Sequence, residues 1–311
     1  MKVIHQLDNY FSENKSLLTI GTYDGLHIGH QKILNKLVKT ARKKQLESVV
    51  LTFFPHPRQV LQKNTDLKLI DTMEEKIEAM EGLGIDTLII HRFDREFSRL
   101  SALDFTRKIL VESLNVAAIY MGYNHRFGRN RESNIEDLKA LGEIYDFEVI
   151  EIPAQDIEQI AVSSTKIRSA ISENDWGRVE KFLGRPFQLR GKVVKGQQLG
   201  RKINFPTANL EIPETYKLIP PKGVYWVKVH HQKNTHWGMM NIGIRPTINA
   251  EKQTIEIHLF DFDQDLYGQV LRLELLKKIR EEQFFDSLNA LRAQLEKDAA
   301  TCQKWIKEAA N

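Results

Sequence analysis

The chain of 311 residues contains one cysteine, Cys302, so no disulfide bond can form within it. It also lacks any run that approaches the roughly 18–20 apolar residues a membrane-spanning helix needs. The opening segment, MKVIHQLDNYF, has no apolar core of the kind that a secretion signal carries. Together these absences predict a protein of the reducing cytoplasm that has no membrane partner.

An excess of charge of either sign is missing as well. The 45 basic and 41 acidic residues leave a formal net charge of +4. Hydrophobic residues make up 41% and charged residues 28%, which is the balance of a globular protein and excludes a disordered or collagen-like chain. A mildly basic chain suits an enzyme for anionic substrates but is weak support for nucleic-acid binding, so no nucleic-acid partner is predicted.

The first part of the chain alternates strand-like and helix-like segments. A buried strand at 16–21 precedes a helix at 30–44 whose apolar residues share one face. Further strands are predicted at 49–54, 87–90, 117–121 and 148–152, and further helices at 72–83, 102–114, 135–145, 164–172 and 176–183. This alternation predicts an α/β domain, residues 1–185, built on a doubly wound, Rossmann-like parallel sheet.

The pattern changes after residue 185. In the segment at 253–259, Ile255, Ile257 and Leu259 alternate with polar residues, as in an antiparallel sheet with one buried face. Similar short strands are predicted at 187–194, 223–230, 238–242 and 270–278, and a helix from about 287 to 310. Residues 186–311 are therefore expected to form an antiparallel β-barrel with a terminal helix.

The segment GTYDGLHIGH, Gly21–His30, lies between the first strand and the first helix. Backbone N–H groups at the start of a helix lack partners and attract phosphate, and glycines allow the chain to turn tightly there. His27 and His30 are three residues apart, so both can face a phosphate on which charge builds. A zinc site and a purely structural role for the histidines are alternatives that the residues leave open.

Glycines recur at the start of the second domain. Basic residues surround three glycines there, Gly191, Gly196 and Gly200, so the backbone can wrap phosphates. A β-hairpin with a solvated basic turn is the alternative interpretation of the same residues. Thr207 and Asn209 are two apart, so on an extended strand they point the same way. Their neutral oxygens can help to hold a magnesium ion that takes its other ligands from water and phosphate.

Motifs in both parts resemble those of one family. GTYDGLHIGH resembles the (H/T)xGH signature of nucleotidyltransferases, and TFFPHP, MGYNHRFGRNRES and SSTKIR follow it in the order found in bacterial bifunctional riboflavin kinase/FAD synthetases. PTAN, PPKGVYWVKV, NIGIRPTI and IEIHLFDFDQDLYG resemble the riboflavin kinase module of that family. The family often has glycine where Asn204 stands, and asparagine also tolerates positive φ.

The resemblance implies that the first domain is an FMN adenylyltransferase, which transfers AMP from ATP to FMN and so makes FAD and pyrophosphate. Its implied catalytic residues are His27 and His30, at the phosphates of ATP. Further ATP contacts are implied for Gly21, Asp24, Gly29, Ser164, Thr165 and Arg168. Flavin contacts are implied for Pro55, His56, Pro57, Asn124, Phe127 and Arg129.

For the second domain the resemblance implies a riboflavin kinase that uses ATP and Mg²⁺. Glu256 is the implied catalytic base, which accepts the proton of the ribityl 5′-hydroxyl as that oxygen attacks the γ-phosphate. ATP contacts are implied for Gly191, Lys192, Gly196, Gly200, Thr207 and Asn209, the last two also as metal ligands. The expected partners are the small molecules riboflavin, FMN and ATP, with FAD as the final product.

Two other functions compete with this interpretation. The first domain could adenylylate another phosphorylated small molecule, but the TFFPHP segment and the attached kinase-like barrel argue against it. The barrel could bind nucleic acid, which usually requires stacked aromatic residues and a positive groove. The net charge of +4 is only mildly positive, which argues against that second alternative.

Overall fold

A computed structural model describes residues 1–7, 10–62, 65–122, 126–152, 162–196, 200, 203–246 and 251–309. The chain divides into two compact units, Met1–Ser163 and Ser164–Asn311. The two short helices before residue 185 thus group with the second unit. The boundary at residue 185 stays a prediction.

A six-stranded parallel sheet forms the centre of the first unit. Its strands are β1 (Lys2–His5), β2 (Ser16–Ile20), β3 (Glu47–Phe54), β4 (Thr87–Arg92), β5 (Val116–Gly122) and β6 (Glu148–Ile152). Its helices include α1 (Ile28–Lys44), α2 (Pro57–Leu61), α3 (Met73–Glu81), α4 (Ala102–Asp104, continued by a π-helix over Phe105–Ser113) and α5 (Ile135–Tyr145). The strand order is β1-β4-β3-β2-β5-β6. The chain therefore reverses direction across the sheet between β2 and β5, where ligands of such sheets usually bind.

The central strands of this sheet are largely apolar and buried because both faces of the sheet are covered. Leu17 and Leu18 of β2 are both fully buried, and they belong to two different cores. Successive side chains of a strand point to opposite faces, so these two cores lie on the two sides of the sheet. On one side α1 contributes Leu34, Leu37 and Ala41, which recur at helical spacing.

A closed six-stranded antiparallel barrel forms most of the second unit. Two helices precede it and one follows it: α6 (Ser164–Ser172), α7 (Trp176–Leu183) and α8 (Leu288–Ala309). The strands are β7 (Phe187–Val194), β8 (Ala208–Glu211), β9 (Gly223–His231), β10 (Asn234–Pro246), β11 (Glu251–Leu259) and β12 (Val270–Arg280). Closure in the order β10-β11-β8-β7-β12-β9 leaves no free strand edge in the barrel.

Buried apolar and partly exposed polar side chains alternate along β11. Ile255, Ile257 and Leu259 are buried, as the sequence predicts. Glu256 and His258, between them, are only partly buried. Because successive side chains of a strand alternate, these two polar residues lie on the outer surface of the barrel.

The terminal helix α8 covers an outer face of the barrel. Its Cys302 is fully buried in a cluster with Trp226 and Met239. Burial, with a smaller contribution from Asp298, raises the pKa of this thiol to about 12, so the thiol is protonated at neutral pH and unreactive. All four tryptophans of the chain belong to the second unit: Trp176, Trp226, Trp237 and Trp305.

The predicted fold class is confirmed: a parallel α/β unit is followed by an antiparallel barrel with a terminal helix. Three elements are not predicted by the sequence pattern: β1 and β8, which have only four residues each, and α2, which has Pro57 in its first turn. The helix predicted at 102–114 forms as a short α-helix followed by a π-helix. Such wide turns often occur near functional sites.

Helix α7 packs on the barrel. A fragment of the second unit should therefore be more stable when it includes this helix. The Trp176 ring lies 5.6 Å from that of Tyr225 and 6.1 Å from that of Phe187. The Tyr225 hydroxyl donates a hydrogen bond of 3.0 Å to Asn174 Oδ1. Because removal of a buried aromatic side chain costs about 3–5 kcal/mol, a fragment that begins at residue 186 should melt at a lower temperature than one that begins at residue 164. Circular dichroism melting curves of both fragments check this, and equal curves would contradict it.

Candidate active sites

The turn between β2 and α1 brings His27 to the start of a helix. His27 is the N-cap of α1, and its Nδ1 accepts a hydrogen bond from the backbone N–H of His30 at 3.3 Å. An N-cap residue satisfies one of the backbone donors that the first turn of a helix leaves unpaired. Because Nδ1 is the acceptor, the proton of the neutral ring is assigned to Nε2, which makes Nε2 a donor for a ligand.

The two histidine rings of the turn are stacked and neutral. Their centroids are 3.6 Å apart and their planes differ by 16°. Burial lowers the pKa of His27 to about 4. Burial, followed by the charges of His27 and Lys76, lowers the pKa of His30 well below its usual value. His30 Nδ1 is buried and has no hydrogen-bond partner within the described part of the chain, which is uncommon for a buried polar atom and calls for an explanation.

The turn itself has an unusual backbone. Tyr23, Gly25 and Leu26 have φ of 47°, 81° and 36°. Positive φ costs of order 1–3 kcal/mol for residues other than glycine, so surrounding contacts must hold the turn. A Cβ atom on Gly25 would lie 2.9 Å from the side chain of Ile70, and one on Gly21 would lie 2.8 Å from the Tyr23 ring. Both glycines are therefore required by packing.

Side chains from the rest of the unit hold this turn in place. The Asp24 carboxylate, 2% exposed, accepts a hydrogen bond of 2.9 Å from the Ile70 N–H. Lys76 Nζ of α3 donates to the Thr22 carbonyl oxygen at 2.7 Å. The Gln31 amide donates to the Leu26 carbonyl at 2.8 Å. Asp24 thus anchors the turn, while Gly29 is buried in the first turn of α1.

The Pro-His-Pro segment follows β3, next to β2 in the sheet. His56 caps α2: its Nδ1 accepts from the Arg58 N–H at 3.1 Å, and its own N–H donates to the Gln59 side chain at 3.2 Å. Pro57 takes the first helical position, where a missing N–H has no cost. This reciprocal capping makes a rigid segment at the carboxyl edge of the sheet.

A cavity of about 510 Å³ opens beside the carboxyl ends of β1 and β4. Its volume is in the usual range for a small-molecule site. Its apolar lining comprises Leu7, Tyr10, Phe11, Phe97, Leu100 and Ile109. Polar groups come from His91, Arg92, Lys108 and Glu112 among others. The mixture suits a flat heterocycle with polar edges.

A series of aromatic rings connects this cavity with two predicted flavin segments. The Phe97 ring, in the cavity wall, lies 5.5 Å from Phe53 at the end of β3. On its other side Phe97 lies 6.1 Å from Phe105, which lies 6.1 Å from Phe127. Phe127 is 7% exposed, and it is not among the residues that line the cavity. The predicted residue Arg129 is exposed in a short 3₁₀ turn, and Asn124 lies outside the described residues.

In the second unit, strand register gathers the predicted kinase residues. Glu256 of β11 stands directly opposite Asn209 of β8. The Thr207 hydroxyl, just before β8, donates to Glu256 Oε2 at 3.3 Å. These three side chains present a hydroxyl, an amide and a carboxylate on one outer patch of the barrel. On the other side of Glu256, Asn241 of β10 is its opposite partner.

Gly196, at the start of the glycine-rich segment, packs against this patch. A Cβ atom on Gly196 would lie 2.1 Å from the amide nitrogen of Asn209. Gly191 and Gly200 are required for a different reason, because a Cβ there would lie 2.5 Å from the Glu211 carbonyl oxygen and 2.1 Å from that of Phe205. Asn204 has φ of 61°, which confirms that asparagine accepts the positive φ of this turn.

The remaining residues predicted to contact ATP are exposed or only half-buried. Lys192 is exposed on β7, opposite Glu211 of β8. Ser164 and Arg168 are half-buried and Thr165 is exposed at the beginning of α6, in the second unit. Their expected role at the triphosphate stays a prediction.

The sequence analysis did not identify several residues that line these sites. Lys76 and His91 are both nine-tenths or more buried, which is unusual for a lysine. His91 Nδ1 accepts from the Leu7 N–H at 3.3 Å and its ring lies 4.6 Å from Phe97. Their sequence signals were a lysine among apolar helix positions and a histidine at the end of a strand, and neither is distinctive alone.

The two units match two families. The model described as FAD synthetase matches residues 11–166, and the model described as riboflavin kinase matches residues 183–306. The class of protein is thus a transferase that joins an FAD synthetase unit to a riboflavin kinase unit. The described residues contain no group of three or more His, Cys, Asp or Glu side chains arranged to hold a metal ion, so a zinc site at His27 and His30 lacks its usual ligand set.

Full-length relatives agree with this division. A bifunctional riboflavin kinase/FMN adenylyltransferase of Buchnera aphidicola is 38% identical, over 98% of both chains. One of Escherichia coli K12 is 36% identical, also over 98% of both chains. The present chain belongs to the family of bifunctional riboflavin kinase/FMN adenylyltransferases.

A solved structure shares the whole fold. It is the crystal structure of a protein described as a macrolide-efflux protein from Streptococcus pneumoniae, with a TM-score of 0.87, 32% sequence identity, and coverage of 98% of this chain and 100% of that one. In the part of the present chain that the structure describes, no helix is both long and apolar enough to cross a bilayer.

The depressed histidine pKa values predict how the first unit responds to acid. In the unfolded chain a histidine titrates near 6.5, whereas folded His27 titrates at about 4. Between these values the unfolded state binds more protons, so stability should fall as the pH drops from about 6.5 towards 4. NMR titration of the histidine ring signals, assigned with a His27→Gln variant, should show one midpoint near 4. A midpoint near 6.5 for His27 would contradict the buried, neutral pair.

Proposed function

We propose that the chain makes FAD from riboflavin in two ATP-dependent steps, one in each unit. The second unit phosphorylates riboflavin to FMN, and the first unit adenylylates FMN to FAD. Family membership over nearly the full length supports both activities. The observation that carries the assignment of sites is the convergence of Thr207, Asn209 and Glu256 on one unit and of two neutral histidines at a helix start on the other.

In the kinase step, Glu256 accepts the proton of the ribityl 5′-hydroxyl. The oxygen attacks the γ-phosphorus of ATP, the bond to the bridging oxygen breaks, and ADP leaves. The hydrogen bond from Thr207 holds the Glu256 carboxylate at the edge of the patch. Gly196 lets the backbone approach the Asn209 side chain closely, since a Cβ atom there would lie 2.1 Å from its amide nitrogen.

The same patch fits a magnesium ion. Thr207 and Asn209 offer neutral oxygens next to a carboxylate, which are the hard ligands that Mg²⁺ prefers. When bound, the ion would neutralise charge on the ATP phosphates. The protein residues that would hold it are Thr207 and Asn209.

In the adenylyl step, a phosphate oxygen of FMN attacks the α-phosphorus of ATP and pyrophosphate leaves. No proton must be removed from the phosphate dianion, so the histidines need not act as bases. His27 Nε2–H and the His30 ring instead donate hydrogen bonds to oxygens that become more negative in the transition state. Neutral imidazoles can do this, because each carries one N–H donor.

The cavity beside β1 and β4 is the proposed site of the isoalloxazine ring. β4 lies two strands from β2, so the cavity is about 10 Å across the sheet from the histidine turn. A five-carbon ribityl chain with its phosphate can cross the intervening β3. On the way it would pass Pro55, His56 and Pro57, which follow β3. The apolar wall would pack on the flavin face, with His91 and Arg92 among the polar residues of the lining.

No observation favours a nucleic-acid role or another adenylyl acceptor over the flavin. A reducing cytoplasm is the proposed compartment, which agrees with the single buried thiol.

Product analysis tests the whole proposal. The purified protein is incubated with riboflavin, ATP and Mg²⁺, and the flavins are separated by chromatography. FMN should appear first and FAD later, while FMN supplied alone with ATP should give FAD and pyrophosphate. Riboflavin and FMN that remain unchanged would overturn the proposal.

Single substitutions should separate the two activities. Glu256→Gln keeps the shape of the side chain but removes the base, so riboflavin phosphorylation should fall by about 10²–10⁴-fold. His30→Ala removes a donor to the phosphates, so FAD formation should fall by about 10²–10³-fold. Each variant serves as the control for the other, because the unaffected reaction should proceed at the wild-type rate. Loss of both activities in either variant would contradict the assignment.

A bulky residue in the cavity should block FMN. Ile109→Trp fills space beside Phe97 and should raise KM for FMN by about tenfold or more, which is about 1.4 kcal/mol of binding. Leu103→Trp, on the same helix but 53% exposed and outside the cavity lining, is the matched control. Steady-state FAD formation at saturating ATP measures both. Equal KM values for FMN in the two variants would contradict the proposal that the flavin binds in this cavity.

A further inference from the structure

Lys76 of α3 is a buried lysine whose amino group contacts the turn between β2 and α1. The residue is 3% exposed. Its Nζ donates a hydrogen bond of 2.7 Å to the carbonyl oxygen of Thr22. Lysine is almost never fully buried unless its charge is matched, so this position needs a physical reason.

Charged groups around Lys76 supply part of that reason. Burial lowers the pKa of the Lys76 ammonium group, and the nearby carboxylates of Asp24 and Asp71 oppose this effect. On the other side is His30, whose pKa the Lys76 charge helps to lower. The ammonium group therefore interacts electrostatically with two acids and with His30, and it donates its hydrogen bond to the backbone of the turn.

The turn requires such support. Tyr23 and Leu26 have positive φ on either side of Gly25, and that backbone persists only where neighbouring groups hold it. The Thr22 carbonyl is the point where the turn leaves β2, and it also accepts a weaker hydrogen bond of 3.3 Å from Thr52 Oγ1. Of these two hydrogen bonds to the Thr22 carbonyl, the one from Lys76 is the shorter, and its donor is an ammonium group.

We propose that Lys76 is a positioning residue for adenylyl transfer, which holds the Thr22 carbonyl and so sets where His27 and His30 meet the phosphates of ATP. It acts from behind the turn and does not itself touch the reacting atoms. The inference rests on the proposed adenylyl transfer, but it assigns a role to a residue outside the glycine and histidine motifs.

The position of Lys76 predicts which kinetic constant changes. The cavity for the flavin ring contains no group from α3, so KM for FMN should depend little on Lys76. Misplacement of a reacting group by about 1 Å can cost about 10²-fold in rate. Loss of Lys76 should therefore appear in kcat of FAD formation.

The test compares Lys76→Met with Met80→Ala. Methionine keeps an unbranched chain of similar length and removes the donor and the charge. Met80 lies on the same helix, is fully buried and belongs to the core cluster that also contains Tyr23 and Leu26, so its truncation weakens the packing of α3 but keeps the hydrogen bond from Lys76 to Thr22. Riboflavin phosphorylation by the same molecules, measured in parallel, controls for protein quality.

With wild-type FAD formation established first, Lys76→Met should lower kcat for FAD by about 10²-fold, with KM for FMN within about twofold and FMN formation unchanged. Met80→Ala should retain most of its kcat. A wild-type kcat in Lys76→Met, or an equal loss in both variants, would overturn the proposal. If the wild type made no FAD, the proposed function would fail instead.

Wild-type protein gives a second measurement, which decides the matter if Lys76→Met does not fold. A lysine ammonium group held by a buried carbonyl exchanges its protons slowly, so its ¹⁵Nζ signal should be visible by NMR and should shift when a non-hydrolysable ATP analogue binds. A Lys76 signal that exchanges rapidly, or that does not respond to the analogue, would overturn the proposal.

Discussion

Strand register determines which side chains meet in both units of this protein. In the barrel, Asn209, Glu256 and Asn241 are opposite one another on three neighbouring strands, so a shift by one residue would turn Glu256 into the core. In the parallel sheet, the ends of β2, β3 and β4 lie along one edge, where the histidine turn, the Pro-His-Pro segment and the cavity follow in that order. Both candidate sites therefore depend on hydrogen-bonded strand pairing, and the first depends also on the turn between β2 and α1.

The histidines of the turn between β2 and α1 are electrically neutral. The two imidazoles of the proposed triphosphate site are stacked and uncharged. The charge of Lys76 acts on His30, and the Lys76 side chain is itself buried and influenced by Asp24 and Asp71. Under the proposed function, these rings would stabilise the transition state through the direction of their N–H donors and not through net charge.

The sequence predicted those features that rest on periodicity and on motifs. The helices at 135–145 and 164–172 and the alternation of Ile255, Ile257 and Leu259 were found because their patterns are local. Asn204 with positive φ followed from the conformational tolerance of asparagine. Lys76, His91 and the cavity were not found, because each acquires its meaning from contacts between distant segments. His91, for example, is placed by the N–H of Leu7, and no local pattern contains that bond.

The placement of the tryptophans has a practical consequence. All four indoles belong to the barrel unit, and Trp226 stacks on Trp237 with Trp305 close by. Light absorbed selectively by indole is therefore emitted from one half of the molecule, while the parallel-sheet half is dark at those wavelengths. Fluorescence can thus follow denaturation or flavin quenching in the kinase half of the intact chain, with no label and no need to cut the polypeptide.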